Sequence, residues 1–150
     1  MRPDPIFHAM RCYEYRHLVA FEETNLVGNV YYVNHLRWQG RCREMFLREH
    51  APAILDQLQT GLALATTHCS CEYFVELRAF DEVIVRMRLA SITQSRLELE
   101  FEYWRAGPGG DELIARGRQG IACLRRAGDQ VAPTPVPDDL REALKPYGAG

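Results

Sequence analysis

The sequence predicts an α+β fold in which an antiparallel sheet is covered by one long helix. Two observations carry this. From residue 62 onward apolar side chains recur at every second position, in runs of strand length parted by turn residues, which is the period of strands with one buried face. Ahead of them, Val33 to about Glu49 reads as a long helix, which has the whole sheet to cover. A sheet of about five strands wrapped around one central helix satisfies that order, although periodicity by itself specifies only the class and the antiparallel pairing.

After Pro3 and Pro5, RCYEYRHLVAF alternates as a first strand and ends in the polar turn EETN. The helix follows, and Pro52 stands just past its end, where a residue without an N–H cannot continue the ladder. Leu36, Gly40 and Leu47 lie on one line of this helix and Trp38, Cys42, Met45 and Phe46 on another. So wide an apolar arc predicts a helix largely enclosed by protein. Four strands come next, LATTHCSCEYFVEL, EVIVRMRLA, RLELEFEYW and LIARGRQGIACLRR. In the third, Leu97, Leu99, Phe101 and Tyr103 share one face and Arg96, Glu98, Glu100 and Glu102 the other, so one side of the sheet is expected to meet water. Ala106 to Glu112, AGPGGDE, is a turn between two strands. TPVPDDLREALKPYG is proline-rich and then briefly helical, with Asp138 as the cap. Residues 1–150 are read as one domain with a core of about 12–125 and a C-terminal tail from 126.

A chain of 150 residues can bury a sizeable core without metals or disulfides. The formal net charge of -2 leaves no concentrated basic surface, which argues against nucleic acid as a partner. The longest apolar runs fall far short of the roughly 20 residues that span a bilayer, and MRPDPIFHAMRC lacks a signal-peptide core. A soluble, cytoplasmic protein with no membrane partner is expected. Cys12, Cys42, Cys69, Cys71 and Cys123 are read as thiols. His68 beside Cys69 and Cys71 raises zinc, but no second ligand pair stands at finger spacing, and buried structural cysteine is the preferred reading. No metal and no cofactor are expected.

Arg43 shares the Leu36, Gly40 and Leu47 line, and a guanidinium on an enclosed helix cannot shed its charge. An internal ion pair with Glu22, Glu23 or Glu44 is one reading of it; a bound carbonyl or carboxylate is another. Arg37 and Arg41, four apart, are read as solvated. The loop ETNLVGN supplies the side-chain amides of Asn25 and Asn29 and a permissive Gly28 just ahead of the helix. Unpaired N–H groups at a helix start are ready donors to a developing oxyanion, while asparagine is equally at home as a turn residue. There is no G-x-S-x-G elbow, Walker loop, dinucleotide fingerprint or H-E-x-x-H, and Ser70, Ser91 and Ser95 have no evident partner. An enzyme built on this chain would use direct attack by water.

The span TNLVGNVYYVNHLRWQGRCREMF resembles the signature of 4-hydroxybenzoyl-CoA thioesterase-like hotdog proteins, in which an acidic residue precedes a glycine, a short apolar-aromatic run, Asn-Tyr and a long helix. More narrowly, FEETNLVGNVYYVNHLRWQGRCREMFL is similar to thioesterases that work with iterative enediyne polyketide synthases in actinomycetes. The likeness continues through CEYFVELRAFDEVIVRMRLA and LIARGRQGIACL, over roughly residues 12–125. Asn25 stands where the wider family carries its catalytic aspartate, an asparagine the enediyne branch shares. His35 stands where the family often has tyrosine after Asn34.

The resemblance implies a hotdog-fold hydrolase that frees a linear polyene β-keto acyl chain from the phosphopantetheine arm of a carrier domain, after which the β-keto acid can lose carbon dioxide. It implies catalytic roles for the Tyr32 backbone N–H, which would hold the oxyanion, for Asn25, which would place water or substrate, and for Arg43, which would meet the acyl carbonyl or carboxylate or fix the site through a neighbouring acid. Gly28, Asn29, Tyr31, Asn34, His35 and Trp38 would contact substrate, and Tyr31, Trp38, Tyr73 and Phe74 would line an acyl channel. Hotdog sites commonly form between subunits, so a homodimer at least, and a homotetramer built from dimers, is implied. A general acyl-CoA thioesterase and a non-catalytic acyl-binding partner of the synthase are the alternatives.

Overall fold

The computed structural model describes residues 11–148; Pro3, Pro5 and all but the last two residues of the segment read for a signal peptide lie outside them. The order is β1 (Tyr13–Leu18), α1 (Val33–His50), α2 (Pro52–Leu58), β2 (Leu62–Tyr73), β3 (Glu82–Ile92), β4 (Arg96–Arg105), β5 (Glu112–Ala127), β6 (Gln130–Pro133) and α3 (Asp138–Leu144). The strands form one antiparallel sheet in the order β1-β3-β4-β5-β2, with β6 added to the end of β5. Register shifts at Thr66/His68, Leu89/Ser91 and Tyr103/Trp104 put extra residues into β2, β3 and, at Ile114, β5. Such bulges sharpen twist and bend, and the sheet curls around α1 as the hotdog arrangement requires. No helix among the described residues is long and apolar enough to cross a membrane.

α1 buries Asn34, His35, Trp38, Gln39, Cys42, Phe46 and Leu47. The enclosed arc is therefore not the Leu36 and Gly40 line, which is only half-buried, but a neighbouring one with three polar side chains in it. Trp38, Cys42 and Phe46 pack with Tyr13, Met87, Phe101 and Tyr103 in the core. Ala51 breaks the helix with φ -144°, because the residue before a proline is pushed out of the helical region, and Pro52 then opens α2.

The outer face of the sheet alternates as the sequence requires but is drier than expected. Glu102 and Glu100 are buried there, as is Arg88. Long side chains lie across the strands and seal the face: Arg86 meets Glu14 (2.8 Å), Arg88 meets Glu100 (3.4 Å), Arg116 meets Glu102 (3.2 Å) and Arg118 meets Glu98 (2.8 Å). Cross-strand pairing of opposite charges is favourable, and the methylene stems cover the glutamates.

Beyond residue 125 the expected tail supplies a strand and a helix, and Val136, Leu140, Leu144 and Tyr147 join the core. The cap of α3 is Pro137, without a side-chain bond, and Asp138 is instead the first helical residue, where its charge suits the helix dipole. All five cysteines are free thiols; Cys42 and Cys123 are buried, Cys12 and Cys71 half-buried. Cys69 is exposed, against the expectation of burial, because β2 is the edge strand.

Candidate active site at the start of the central helix

The loop before α1 is folded by its own polar groups. Thr24 and Val30 form a bridge, the Asn25 N–H donates to the Asn29 carbonyl (2.8 Å) and the Val27 N–H to Asn25 Oδ1 (3.1 Å). Gly28 holds φ at +89°, a conformation that side chains disfavour. The Val30 N–H donates to Leu77 (2.8 Å), which docks the loop on the segment after β2.

Glu23 ties this loop to the helix and to β1. Its carbonyl accepts from the Tyr31 N–H (2.9 Å) and from Asn34 Nδ2 (2.9 Å). Its carboxylate accepts from the Ala20 N–H (2.8 Å) and Trp38 Nε1 (2.8 Å), and lies 2.7 Å from His17 Nε2. Burial pushes the Glu23 carboxyl up, but those bonds outweigh it and hold it below the ordinary range. Sequence reasoning offered Glu23 only as a partner for Arg43. His17 gave no signal at all, because its contact to Glu23 depends on how β1 meets the loop.

The loop separates two clefts. One, of about 430 Å³, is walled by Tyr32, Tyr73, Phe74 and Val75 and takes in Asn25, Asn29 and His35. The other, an open groove of about 610 Å³, is lined by Tyr15, His17, Glu23, Tyr31, Trp38 and the two rim arginines Arg37 and Arg41. Asn34 borders this groove and Asn25 borders both. Glu76, unnoticed in the sequence, puts a carboxylate on the wall of the first.

α1 starts at the first cleft, which Tyr32 and His35 line, without a side-chain cap at Tyr32; the Asn34 N–H donates to the Tyr31 carbonyl (2.9 Å), and the other N–H groups of the first turn have no intrahelical acceptor. The Tyr32 carbonyl accepts from the Tyr73 hydroxyl (2.7 Å), which pins β2 to the helix start. His35, one turn in, is 3% exposed. Its ring packs on Trp38, Tyr73 and Tyr103 at centroid distances of 5.0, 4.7 and 5.5 Å, and its carbonyl accepts from the Tyr103 hydroxyl (2.7 Å). Neither ring nitrogen makes a hydrogen bond of good geometry. Burial drives the imidazole down to about 4, with the nearby Tyr32 backbone pulling the other way, so it is neutral near pH 7.

Arg43 borders neither cleft. It is two turns beyond His35, about 12 Å along the axis. There it donates to Gln119 Oε1 (2.9 Å) and Thr66 Oγ1 (3.2 Å), on β5 and the edge strand β2. Of the carboxylates offered for it, Glu44 meets Arg41, Glu23 meets His17 and Trp38, and Glu22 lines the open groove away from Arg43. Burial pulls the guanidinium below its ordinary value, Glu44 opposing. Gln39, between His35 and Arg43, donates to the Ser70 carbonyl (2.9 Å). His68 lies 3.0 Å from Glu98, on the outer face of the sheet. Among the described residues no three His, Cys, Asp or Glu side chains gather as a metal site.

A curled sheet around one helix, with an aromatic cleft at the uncapped start of that helix, defines a class. Residues 19–144 match the thioesterase-like superfamily, and the chain belongs to that family. It is 48% identical to the dynemicin thioesterase, whose crystal structures describe induced-fit and allosteric effects of polyene binding, with a TM-score of 0.90 over 93% of this chain and 99% of that one. A 1,4-dihydroxy-2-naphthoyl-CoA thioesterase from Synechocystis shares the fold at 19% identity (TM-score 0.80, 90% and 96% covered), as does a variant of 4-hydroxybenzoyl-CoA thioesterase in complex with 4-hydroxybenzoyl-CoA at 17% (0.79, 89% and 99%). A 1,4-dihydroxy-2-naphthoyl-CoA hydrolase of Prochlorococcus marinus (strain NATL2A) is 27% identical over 97 residues, 59% of this chain. The match spans 63% of that relative's own length, under two thirds of it.

Proposed function

We propose that this chain is a thioester hydrolase that frees a linear polyene β-keto acyl chain from the phosphopantetheine arm of an iterative polyketide synthase's carrier domain, in the cytoplasm, as part of enediyne biosynthesis. The observation that carries the reading is the uncapped start of α1 opening on an aromatic cleft that also holds Asn25 and a neutral histidine. The likeness to the dynemicin thioesterase favours the polyene, and flat rings such as Tyr73 and Phe74 suit a conjugated chain. In this reading the Tyr32 N–H holds the thioester oxygen and stabilises the oxyanion as water adds to the carbonyl carbon. Asn25 orients that water, and its proton leaves to solvent or to Glu76. Collapse of the tetrahedral intermediate breaks the C–S bond, and the pantetheine sulfur departs as the thiol. The free β-keto acid can then lose carbon dioxide. Gly28 and Asn29 shape the loop over the cleft, while Tyr31, Asn34 and Trp38 form the wall on its far side.

Arg43 has a role here if a second copy completes the site. β2 is an edge strand, exposed from Thr66 to Ser70. Two such edges paired antiparallel about a two-fold axis at Cys69 would set Cys69 opposite its own copy and Thr66, which holds Arg43, opposite Glu72 and next to Tyr73 of the second copy. A homodimer, or a tetramer of two such dimers, would thus bring the missing cation to each cleft.

Two other readings have an observation behind them. The relatives named for CoA esters favour a general acyl-CoA thioesterase, and the asparagine at the family's aspartate position favours an acyl-binding protein without turnover. Release of acid from one acyl chain, presented on the carrier domain and as its CoA ester, separates the three. Faster release from the carrier supports the proposal, and a strong CoA preference rejects the carrier. Tight binding with no release over many turnovers rejects hydrolysis.

A further inference from the structure

The 430 Å³ cleft holds two buried polar groups without a hydrogen bond of good geometry: the His35 ring, at both nitrogens and with only the Tyr32 backbone near it, and Asn29 Oδ1. Around them the walls are Val30, Tyr73, Phe74, Val75 and Leu77. A buried donor or acceptor left unpaired destabilises the fold, and native chains satisfy nearly all of them. Two in one cleft point to a ligand that carries their complements. A neutral imidazole offers one N–H donor, and an amide oxygen offers an acceptor. A plain saturated or polyene acyl chain meets neither.

We infer that His35 and Asn29 form a polar subsite that selects thioesters with an oxygen on the third carbon of the acyl chain, His35 donating to a 3-oxo group and Asn29 Oδ1 accepting from the first amide N–H of the pantetheine arm. This deepens the hydrolase reading and rests on it. The chemistry of such a substrate matches the subsite. Close to the reacting carbon it carries the thioester oxygen, which the helix start takes, one further carbonyl acceptor, and one N–H donor. His35 is rigid enough to discriminate, since Trp38, Tyr73 and Tyr103 hold its ring and the Tyr103 hydroxyl holds its backbone. Its place in the first turn of α1 sets the donor near the oxyanion site, as the third carbon is near the first. A site built to bond a polar group discriminates against the analogue lacking it far more sharply than an apolar pocket does.

The test uses 3-oxooctanoyl and octanoyl thioesters of pantetheine, with kcat/KM measured for the parent, His35→Phe, His35→Gln and Asn29→Leu. The parent should favour the 3-oxo ester by roughly tenfold or more. His35→Phe should bring the ratio near one, and His35→Gln, which retains an N–H, should restore part of it. Asn29→Leu should raise KM for both esters alike, since both carry the same amide. A parent that hydrolyses both esters equally, or a folded His35→Phe that keeps the preference, overturns the subsite and leaves the hydrolase reading standing. Affinities of the matching amide analogues, which cannot be cleaved, are measured alongside by calorimetry. If neither ester is hydrolysed yet the parent binds the 3-oxo analogue more tightly, and His35→Gln more tightly than His35→Phe, hydrolysis falls and the subsite stands. Equal affinity for both analogues sinks the subsite whatever the rates show.

Discussion

His35 should make the fold sensitive to acid in a way that one substitution removes. Burial lowers its pKa from 6.5 to about 4, so protonation is easier in the unfolded chain than in the folded one. The unfolded state then binds more protons between the two values, and stability rises with pH across that window. The whole effect, about 2.5 pH units at 1.36 kcal/mol each, is about 3 kcal/mol. At about pH 4.5 the folded group is still mostly neutral and the loss relative to about pH 7.5 is about 2.5 kcal/mol. Glu23, whose carboxyl is held below the ordinary range, also responds to acid, so the measurement is a difference of differences. Urea unfolding of the parent and of His35→Phe at both pH values isolates the imidazole, because phenylalanine keeps the ring packing and cannot take a proton. The parent should lose about 2.5 kcal/mol more than the variant on acidification. Equal losses would mean that His35 is hydrated or hydrogen-bonded in the folded state, and the argument for an unpaired neutral donor in the cleft would fail with it.

Arg43→Ala should remain folded and lose on the order of 10²-fold in turnover of a carrier-bound chain; a folded variant with the parent rate makes Arg43 a structural residue that only bonds Gln119 and Thr66. Asn25→Asp should be slower than the parent on a β-keto substrate, because a carboxylate there repels a product that turns anionic, and Asn25→Ala should be slow too; single-turnover rates with the Asp form faster and the Ala form unchanged would reduce Asn25 to a turn residue. A short thiol-to-thiol cross-linker should join two copies through Cys69 and fail with Cys69→Ser, whereas a parent that stays monomeric on gel filtration and resists cross-linking refutes the edge-paired dimer.

Strands β1 to β5 were legible because they alternate over six or more residues, β3 and β4 with apolar side chains at every second position over ten or more, and the helix because its run is long and stopped by Pro52. α2, with seven residues, and β6, with four, are too short to show a period. The loop residues were legible as a set for the same local reason: Asn25, Asn29, Tyr32 and His35 come within three turns of chain and meet in one cleft. Contacts across the fold were not. Glu23 finds His17, Tyr73 finds the Tyr32 carbonyl and Glu76 joins the cleft only once the strands are in register. Arg43 was set beside the carbonyl site from its line on the helix, yet a helix converts sequence separation into length, and eight residues past His35 it stands about 12 Å away.

That separation gives a pattern along α1 its meaning. His35, Gln39 and Arg43 are four apart and so lie one above another on the face turned to β2 and β5. A helix needed only to cover a sheet would carry apolar side chains on such a face, since polar ones there add little net stability and cost more when a partner is missing. Here Gln39 keeps one bond, to Ser70, while its Oε1 stays unpaired, and Arg43 keeps its charge on neutral partners. Room for Gln39 is itself built in: a Cβ at Gly117 would stand 2.3 Å from its Nε2 and 2.7 Å from the Ser70 carbonyl, so only glycine fits. One of the strands beneath this polar line, β2, is an edge strand. A buried row of donors and acceptors, under-partnered and aligned with the surface where a second copy would pair, is what a site shared between two copies requires of its central helix.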